Sequence, residues 1–461
     1  MVARDRVLSG YDWRGGGPPP PPGARGGGGG GASPGGGRGG FGGGCEGGAG
    51  PPAPTPDAVV RLAGTVGGAP ATLALSEGDL ATHVLFLGPS GTGKTNALRE
   101  LLRQAKASMR PGDTMCVFDP KGDFLPLLDP SLDLAVPGGA DAWNVCGDVV
   151  ADGWDEESVA ANAREVAQTV FADAIERSSN PFFPKAARDL FADVLGALCV
   201  CSEKDLDFRR RNLNNRALRD YLLGATASGL REFLGCEKRF SGSLKYLGDG
   251  SSEQALGVLA ELQEATSALF SGAFGGSGSF SSRQFHRAGV GTVFVEYDVT
   301  RMSTPAYQVI IDSFIKEALS GRRAGSSTYV VIDELPMLPH LLFLENALSF
   351  GRSQGVKVIA AAQSVEQLYD AYGRDAGAAL VSAFQTLVCF RPSDEATRAC
   401  ARERCGGCLR ELSYLSGEGR ASFELRDAHV VEDWDLASLG RGEALLFRPF
   451  AGPLRFQFGR Y

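Results

Sequence analysis

The sequence predicts an α/β fold in which a mainly parallel sheet carries helices on both faces. Short apolar runs alternate with stretches of helical spacing over residues 83–119 and again over residues 292–404, and this alternation is typical of parallel strands joined by helices. A glycine-rich loop follows the first apolar run and leads into the first helix. Residues 155–280 show no strand pattern, and this block is too long for a loop, so we expect an inserted all-α subdomain.

The composition divides the chain into four segments. Glycine and proline dominate residues 1–56, which bury too little apolar surface to offset the entropy of ordering and should form a disordered tail. The α/β framework is expected in two parts, residues 57–150 and 286–461, and the all-α domain over residues 151–285.

The periodicity predicts individual elements within these segments. We expect a hairpin over 57–80 and strands at 83–87, 114–119, 292–299, 328–334, 357–363, 386–390, 443–450 and 453–458. Helices are expected at 96–107, 305–320, 341–352, 365–372 and 394–404, and within the insert at 156–177, 184–201, 214–223 and 252–270.

Composition also limits the class of protein. The chain has 461 residues, a net charge of −8 and 43% hydrophobic residues, so it can form a large core but is not a generally basic nucleic-acid coat. Its ten cysteines lack regular spacing, which favours reduced thiols over a disulfide framework. The longest apolar stretch, residues 190–200, is too short to span a bilayer. We therefore expect a cytoplasmic protein without a transmembrane segment of its own. If it acts at the inner face of the plasma membrane, something else must hold it there.

The glycine-rich loop fits the Walker A pattern G-x-x-x-x-G-K-[ST] at every fixed position over residues 88–95. Its glycines let backbone N–H groups surround a phosphate, and the following helix N-terminus favours negative charge. In this pattern the lysine reaches the β- and γ-phosphates and the threonine hydroxyl binds Mg²⁺. The predicted nucleotide-binding residues are Gly88, Pro89, Ser90, Gly91, Thr92, Gly93, Lys94, Thr95 and Asn96, with Thr95 also a metal ligand.

A second apolar run ends in two carboxylates, Asp333 and Glu334. Following a buried strand, such a pair is a Walker B pattern. We expect Asp333 to hold the Mg²⁺ shell and Glu334 to orient and activate the attacking water. Strands that end in exposed acids are common, so the assignment depends on the Walker A loop upstream. An adjacent Asp-Glu pair indicates hydrolysis rather than nucleotide binding alone.

Two further polar residues are catalytic candidates. Gln363 ends the strand after the Walker B strand and would lie near the γ-phosphate if the strands are neighbours, although a strand-end hydrogen bond also explains it. Arg352 ends the helix before that strand. Its charge suits a helix C-terminus, and the alternative is an arginine finger that acts on a neighbouring subunit.

Other clusters carry weaker signals. Cys400, Cys405 and Cys408 include one C-x-x-C but no second pair or nearby histidine, so ordinary thiols are preferred to a zinc site. Arginines 209–211 and the basic residues at 238–245 lie in the helical block, where a solvated basic face is the simplest interpretation.

The motifs together resemble one protein family. The sequences GPSGTGKT (88–95), FDPKGDF (118–124), VVIDEL (330–335) and above all LSFGRSQGVKVIAAAQSVEQLYDAYG (348–373) look like those of type IV coupling proteins of conjugation, of the TraD/TrwB/TraG type within the FtsK/HerA superfamily. The resemblance covers roughly residues 80–460. It implies a RecA-like P-loop NTPase domain, interrupted by an all-α domain. Most such proteins begin with a transmembrane segment, whereas this chain begins with the Gly/Pro tail.

The resemblance also implies a function. A coupling protein is a hexameric ATP-driven, Mg²⁺-dependent pump that delivers a relaxase-bound single DNA strand to a type IV secretion channel. Matching positions make Lys94 and Thr95 nucleotide and Mg²⁺ ligands, Asp333 and Glu334 the Walker B pair, and Gln363 a sensor. Arg352 matches the arginine that reaches across a subunit boundary, whereas Asp119 and Lys121 fall in a recurrent motif without an assigned role. DNA in the ring would be gripped through its phosphates with little sequence specificity.

Two alternatives stay open at the level of sequence. One is a soluble HerA-like or FtsK-like DNA translocase, which the helical insert and the 348–373 run disfavour. The other is a docking adaptor that binds ATP as a structural ligand and recruits secretion substrates through its helical domain.

Overall fold

The computed structural model describes residues 4–8, 57–136, 142–248, 250–289, 291–297, 304–323, 325–415 and 421–461. Its strands are β1 (Arg4–Leu8), β2 (Ala58–Val66), β3 (Ala69–Ser76), β4 (Val84–Leu87), β5 (Thr114–Asp119), β6 (Leu134–Val136), β7 (Thr292–Glu296), β8 (Thr328–Ile332), β9 (Val356–Ala362), β10 (Thr386–Phe390), β11 (Gly407–Leu415), β12 (Ala421–His429), β13 (Glu443–Phe447) and β14 (Leu454–Phe458).

The α-helices of the described residues flank and interrupt this series of strands. They are α1 (Glu77–Leu80), α2 (Lys94–Ala107), α3 (Val145–Val149), α4 (Glu156–Arg177), α5 (Phe182–Lys204), α6 (Leu206–Asn212), α7 (Asn215–Leu223), α8 (Ala227–Gly235), α9 (Glu253–Leu269), α10 (Ser282–Ala288), α11 (Thr304–Leu319), α12 (Leu344–Phe350), α13 (Val365–Tyr372), α14 (Arg374–Ala383), α15 (Glu395–Cys405) and α16 (Asp433–Ala437).

One large sheet organises the molecule, in the order β3-β2-β14-β13-β10-β4-β9-β8-β5-β7-β6. From β10 to β6 every neighbouring pair is parallel. The strands on the other side of β10 pair antiparallel. The predicted α/β fold with a mainly parallel sheet is therefore confirmed. The glycine loop follows β4, which lies inside the sheet between β10 and β9.

The central strands are largely apolar because both faces of the sheet are covered. Along β4, Leu85 and Leu87 contribute to the core that includes α4, α5 and α11, whereas Val84 and Phe86 face the core that includes α2. All residues of β4, β5, β8 and β9 are buried. Continuous apolar runs rather than alternating ones mark strands of this kind.

Between β6 and β7 the described residues form helices and turns, with one isolated bridge between Trp143 and Phe280. In this block α4 packs against α5 and α11, and α5 packs against α9. Its core is apolar, with Phe171, Phe191 and Leu195 fully buried. The helical block thus continues the hydrophobic core on one face of the sheet.

Buried ion pairs join the helical block to the α/β framework. Arg283 Nε donates to Glu317 Oε2 at 3.0 Å, and Arg287 Nε donates to Glu317 Oε1 at 2.7 Å. Arg287 also reaches Asp152, at 2.7 Å. Because removing one partner would leave a buried charge without its counterion, this cluster fixes how α10, α11 and the segment before α4 pack together.

Several elements differ from the sequence prediction. The strand expected at 83–87 begins at Val84, because His83 has a positive φ of 59°. The helix expected at 341–352 is shorter, Leu344–Phe350, and continues as a 3₁₀ turn. The hairpin of β11 and β12 was not predicted, since its strands mix charged, polar and apolar residues without a clear period. Helix α14 and the short strand β6 were also missed.

The predicted disordered tail, residues 1–56, lies outside the described residues except for β1, which pairs antiparallel with β11. Part of the strand expected at 292–299 also falls outside them, since residues 298–300 are not described. Among the described residues, no helix combines the length and the apolar character needed to cross a membrane.

Candidate nucleotide-binding and hydrolysis site

The predicted site residues meet at the carboxyl edge of the parallel strands. The Walker A loop follows β4, Gln363 follows β9, and the Walker B pair follows β8. Strand β9 pairs with both β4 and β8. The condition set by the sequence, that the Gln363 strand be a neighbour of the others, is therefore met. Parallel sheets bind ligands at this edge.

Close packing explains the glycines of the loop. Gly88 has a φ of 143°, and a Cβ there would lie 2.8 Å from Cβ of Phe390. Gly93 has a φ of 113°, and its Cβ would lie 2.9 Å from Cα of Gly442. Thr92 Oγ1 donates to the Pro89 carbonyl at 2.7 Å, which closes the turn. Only glycine combines these dihedral angles with this proximity of backbone.

Lys94 is the first residue of α2 and is 7% exposed. Its ammonium donates to the main-chain carbonyl of Gly88 and, at 3.5 Å, to that of Pro89. Burial lowers the pKa of Lys94, and the nearby Glu334 carboxylate opposes that effect. The helix N-terminus has no side-chain cap, so its backbone N–H groups are available to an anion.

Asp333 is 2% exposed, and its Oδ2 has no hydrogen-bond partner among the described residues. Burial raises the pKa of this carboxyl to about 6. An orphaned buried carboxylate oxygen is uncommon in folded proteins and marks a site for a further ligand. Mg²⁺ binds through one or two protein oxygens together with phosphate and water, so Asp333 and the Thr95 hydroxyl fit this cation.

Glu334 lies beside Asp333 and is 5% exposed. Gln363 Nε2 donates to Glu334 Oε2 at 3.2 Å, and Lys121 Nζ lies 3.7 Å from the same oxygen. The carboxylate is thus oriented from two sides. It borders a cleft of about 710 Å³ between the strand ends and the end of α4.

Asp119 and Lys121, which have no role assigned from their sequence motif, act together. Asp119 accepts hydrogen bonds from the backbone N–H groups of Asp123 at 3.0 Å and Phe124 at 2.8 Å. Burial raises its pKa, and these hydrogen bonds oppose that rise. They order the turn after β5, and the turn brings Lys121 to Glu334. An acidic residue at a strand end before a glycine turn is the sequence signal for this role.

Arg352 is not part of this cluster. It is exposed, and it precedes β9, whereas Gln363 follows it. Seven residues of strand, roughly 23 Å, therefore separate the two ends. Arg352 lies near His83, whose pKa is lowered to about 4 mainly by burial. Among the described residues, no carboxylate lies within ion-pair distance of the Arg352 guanidinium.

The arginine and cysteine clusters noted in the sequence have contacts that fit a structural role. Arg209 lies over the Trp154 ring and donates to the Ser202 carbonyl, and the nearby Arg219 pairs with Asp220.

Among the described residues no group of three or more His, Cys, Asp or Glu side chains could hold a metal ion. Burial raises the pKa of Cys400, and that of Cys405 to about 12.

A family model matches most of the chain. Residues 69–413 match the type IV secretion-system coupling protein DNA-binding domain, and this span includes both Walker motifs, Gln363 and the helical insert. The chain belongs to this coupling-protein family. The resemblance inferred from the motifs is therefore confirmed.

One curated relative and several solved structures resemble this chain over parts or most of its length. A probable conjugal transfer protein TraG of Sinorhizobium fredii is 27% identical over 191 residues, which span 39% of this chain and 30% of that relative's length. The bacterial conjugative coupling protein TrwB has the same fold, with a TM-score of 0.67 at 23% identity over 87% of this chain and 89% of that one. VirB4 of Thermoanaerobacter pseudethanolicus gives a TM-score of 0.54 at 15% identity over 87% of this chain and 96% of that one.

Proposed function

We propose that this coupling-protein family member is an ATP-hydrolysing motor subunit that moves DNA towards a type IV secretion channel. One observation carries the proposal: Lys94, the unpartnered Oδ2 of Asp333 and the doubly oriented Glu334 converge at the carboxyl ends of neighbouring strands. This is the set of groups that phosphoryl transfer to water requires.

Each residue has a distinct task in this proposal. The loop N–H groups and Lys94 hold the phosphates, and Thr95 and Asp333 hold Mg²⁺, which neutralises phosphate charge. Glu334 accepts the proton of the attacking water or orients that water. Gln363, bonded to Glu334 at 3.2 Å, keeps the carboxylate aimed and is well placed to respond to the γ-phosphate. Solved structures of TrwB contain ADP with Mg²⁺ and a non-hydrolysable ATP analogue, which supports ATP and Mg²⁺ as the ligands here.

The position of Arg352 supports a ring-shaped assembly of several subunits. Its exposed guanidinium lies at the edge of the sheet opposite to the chain's own nucleotide site. In a hexameric ring it would complete the site of the neighbouring subunit and link hydrolysis to movement of DNA-contacting loops. The DNA-binding name of the family model supports DNA as a partner, and the conjugal transfer relative supports a role in conjugation. Low sequence specificity, and relaxase and channel proteins as further partners, are part of the same proposal.

Turnover by the purified chain tests the motor. ATP hydrolysis with Mg²⁺ should rise when single-stranded DNA is added, and both Lys94→Ala and Glu334→Gln should abolish it. A docking adaptor predicts no turnover with or without DNA. A translocase of double-stranded DNA predicts stimulation by duplex in place of single strands.

Mixing of subunits tests Arg352. Arg352→Ala and Lys94→Ala chains should each be inactive alone and regain part of the activity when mixed, because one supplies the intact loop and the other the arginine. Arg103→Ala, which removes an exposed arginine paired with Glu100 on α2, is the matched control and should stay active. Full activity of Arg352→Ala alone would remove the trans arginine from the proposal.

A further inference from the structure

A buried histidine precedes the strand that leads into the Walker A loop. His83 is 2% exposed and stands immediately before β4. Its φ of 59° is uncommon for a residue other than glycine. Strain of this kind persists only where the surrounding contacts hold the residue in place. The sequence motifs assign His83 no role, so its contacts indicate what it does.

The side chain of His83 extends the pairing between β4 and β9. The backbone pairing of these strands begins with Val84 and Ile359. One residue earlier on β9, the Val358 N–H donates to Nδ1 of His83 at 3.0 Å. The carbonyl of His83 accepts from Thr386 N, at the start of β10, at 3.2 Å. The imidazole thus replaces a strand residue as the partner of β9.

The other ring nitrogen contacts helix α12. Because Nδ1 accepts a hydrogen bond, we assign the proton of the neutral ring to Nε2, which is then a donor. Burial lowers the pKa of His83 to about 4, and a hydrogen bond to the Leu348 carbonyl opposes that change. Leu348 lies in the last turn of α12, where carbonyls lack partners within the helix. The histidine therefore supplies a donor to this helix end.

These two contacts lie on either side of the turn that carries Arg352. Leu348 precedes Arg352 along the chain, and Val358 follows it on β9. Arg352 is exposed, and among the described residues no carboxylate lies within ion-pair distance of its guanidinium. The position of the guanidinium therefore depends on the backbone beneath it, and His83 fixes that backbone before and after the turn.

We propose that His83 is a positioning residue that holds the Arg352 turn in the geometry required by the nucleotide site of the neighbouring subunit. It ties the turn to the β4–β9 pair in the core of its own subunit. Such placement matters because a displacement of about 1 Å can lower a rate by a factor of about 10². The inference rests on the proposed function, since it assumes that Arg352 completes a neighbour's site.

Two substitutions separate the two contacts of the ring. Asparagine tolerates a positive φ, and its Oδ1 can replace Nδ1 as the acceptor for Val358, but its side chain is too short to reach Leu348 as well. His83→Asn should lower kcat about 10- to 100-fold and leave the KM for ATP within about twofold. Glutamine is longer, and its amide can donate to the Leu348 carbonyl. His83→Gln should therefore retain more turnover per folded molecule than His83→Asn, although it tolerates the positive φ less well and should be less stable to urea.

His286 offers a matched control. It is also 2% exposed, burial likewise lowers its pKa to about 4, and its ring forms a hydrogen bond with Thr328 Oγ1 at 2.9 Å at the same edge of the sheet. Because this bond does not involve the Arg352 turn, His286→Asn should keep the turnover per folded molecule of the wild type.

Mixed subunits show on which site His83 acts. His83→Asn chains mixed with Lys94→Ala chains should regain part of the ATP turnover, because the first supply an intact loop and the second a correctly placed arginine. His83→Asn chains mixed with Arg352→Ala chains should stay inactive, because neither supplies that arginine.

Three results would overturn the positioning role. Recovery with Arg352→Ala but not with Lys94→Ala would mean that His83 supports the loop of its own subunit. A wild-type kcat for His83→Asn, or turnover that follows stability and so favours asparagine over glutamine, would mean that His83 only fills the core. Failure of the proposed function has a different signature, since Arg352→Ala and Lys94→Ala chains would then show no recovery when mixed with each other.

Discussion

The two edges of the parallel sheet each bury a lysine, and the two lysines have different partners. Lys357, at the amino end of β9, is 2% exposed. It donates to Ser327 Oγ at 2.5 Å, pairs with Glu77 Oε2 at 3.2 Å and lies 4.7 Å from the Tyr329 ring centre. Lys94, at the carboxyl edge, is also buried but donates to carbonyls of its own loop. Burial lowers the pKa of both.

The buried carboxylates repeat this contrast. Asp113, at the amino edge, accepts from Ser327 N at 2.6 Å and from Arg110 N at 2.8 Å, so both of its oxygens are bonded. Asp333, at the carboxyl edge, has no hydrogen-bond partner for its Oδ2 in the part of the chain that the structure describes. Burial therefore does not by itself identify a functional charge. A buried charge whose partners are already complete stabilises the fold, and one whose partners are incomplete indicates a ligand.

Replacing Lys94 should have the largest effect on function. Lys94→Ala is expected to lower ATP turnover by a factor of about 10²–10³, the usual loss when one preorganised charge on the transition state is removed. Its free energy of unfolding should change by less than about 1 kcal/mol, because only loop carbonyls lose a donor. Phosphate release and urea denaturation measure the two quantities. A large loss of stability with intact turnover would reverse the assignment of the two lysines.

Asp312 shows how a fully bonded carboxylate responds to pH. It accepts from Thr169 Oγ1 at 3.1 Å and from the N–H groups of Leu342 at 3.0 Å and Phe343 at 3.3 Å, yet burial raises its pKa to about 7. The folded chain therefore holds a proton that the unfolded chain releases near pH 4, and this contribution to stability declines as the pH rises towards about 7.

We expect the free energy of unfolding to fall by roughly 2–3 kcal/mol more between pH 5 and pH 8 in the wild type than in Asp312→Asn. Denaturation at several pH values measures the difference. Identical pH profiles of the two proteins would contradict a raised pKa of Asp312. Asp113→Asn serves as the comparison at a second bonded carboxylate.

Replacing Lys357 should lower the stability of the fold and leave turnover nearly unchanged, which is the opposite of the result expected for Lys94. Lys357→Ala is expected to destabilise the fold by about 2 kcal/mol, since it removes buried packing and the ammonium that Ser327 and Glu77 share, while these two keep their own hydrogen bond at 3.3 Å. The expected loss of stability is small because the Glu77 side chain is 39% exposed, so water can replace the lysine as its partner. Turnover per folded molecule should stay within about twofold. Loss of turnover at unchanged stability would mean that the amino edge also takes part in catalysis.

Of these replacements, that of Gln363 should have the smallest effect in terms of free energy. Gln363→Ala is expected to lower kcat about tenfold with little change in KM, because Glu334 loses one orienting hydrogen bond but keeps Lys121 nearby. Steady-state kinetics measure the changes in kcat and in KM separately. An increase in KM without loss of kcat would assign Gln363 to ground-state binding instead.

Much of the fold followed from the sequence, and the reason is visible in the core. The strands β4, β5, β8 and β9 are buried on both faces, so their residues are mostly apolar and the strands are easy to recognise. The β11–β12 hairpin was missed because solvent covers much of it, as the 51% exposure of Leu409 and 60% of Leu425 show, and exposed strands tolerate any pattern. Lys94, Asp333, Glu334 and Gln363 could be named as candidates from the sequence, because each occupies a fixed place in a motif or ends a recognisable strand.

The contacts made across the chain were beyond sequence reasoning. Asp119 is 1% exposed; the sequence marks it only as an acid at a strand end before a glycine turn, and its two hydrogen bonds to backbone N–H groups are visible only in the structure. Lys121 reaches Glu334 across more than 200 positions of sequence because β5 and β8 are neighbours. Such pairings depend on topology and therefore required the structure.

The most direct test of the carboxyl edge as a hydrolysis site is single-turnover phosphate release from ATP with Mg²⁺. The wild-type chain should release phosphate. Glu334→Gln should bind ATP with nearly unchanged affinity and release phosphate at least about 100 times more slowly. Asp113→Asn, a carboxylate with complete partners at the other edge, should release it at the wild-type rate. Equal rates for Glu334→Gln and the wild type would contradict the account.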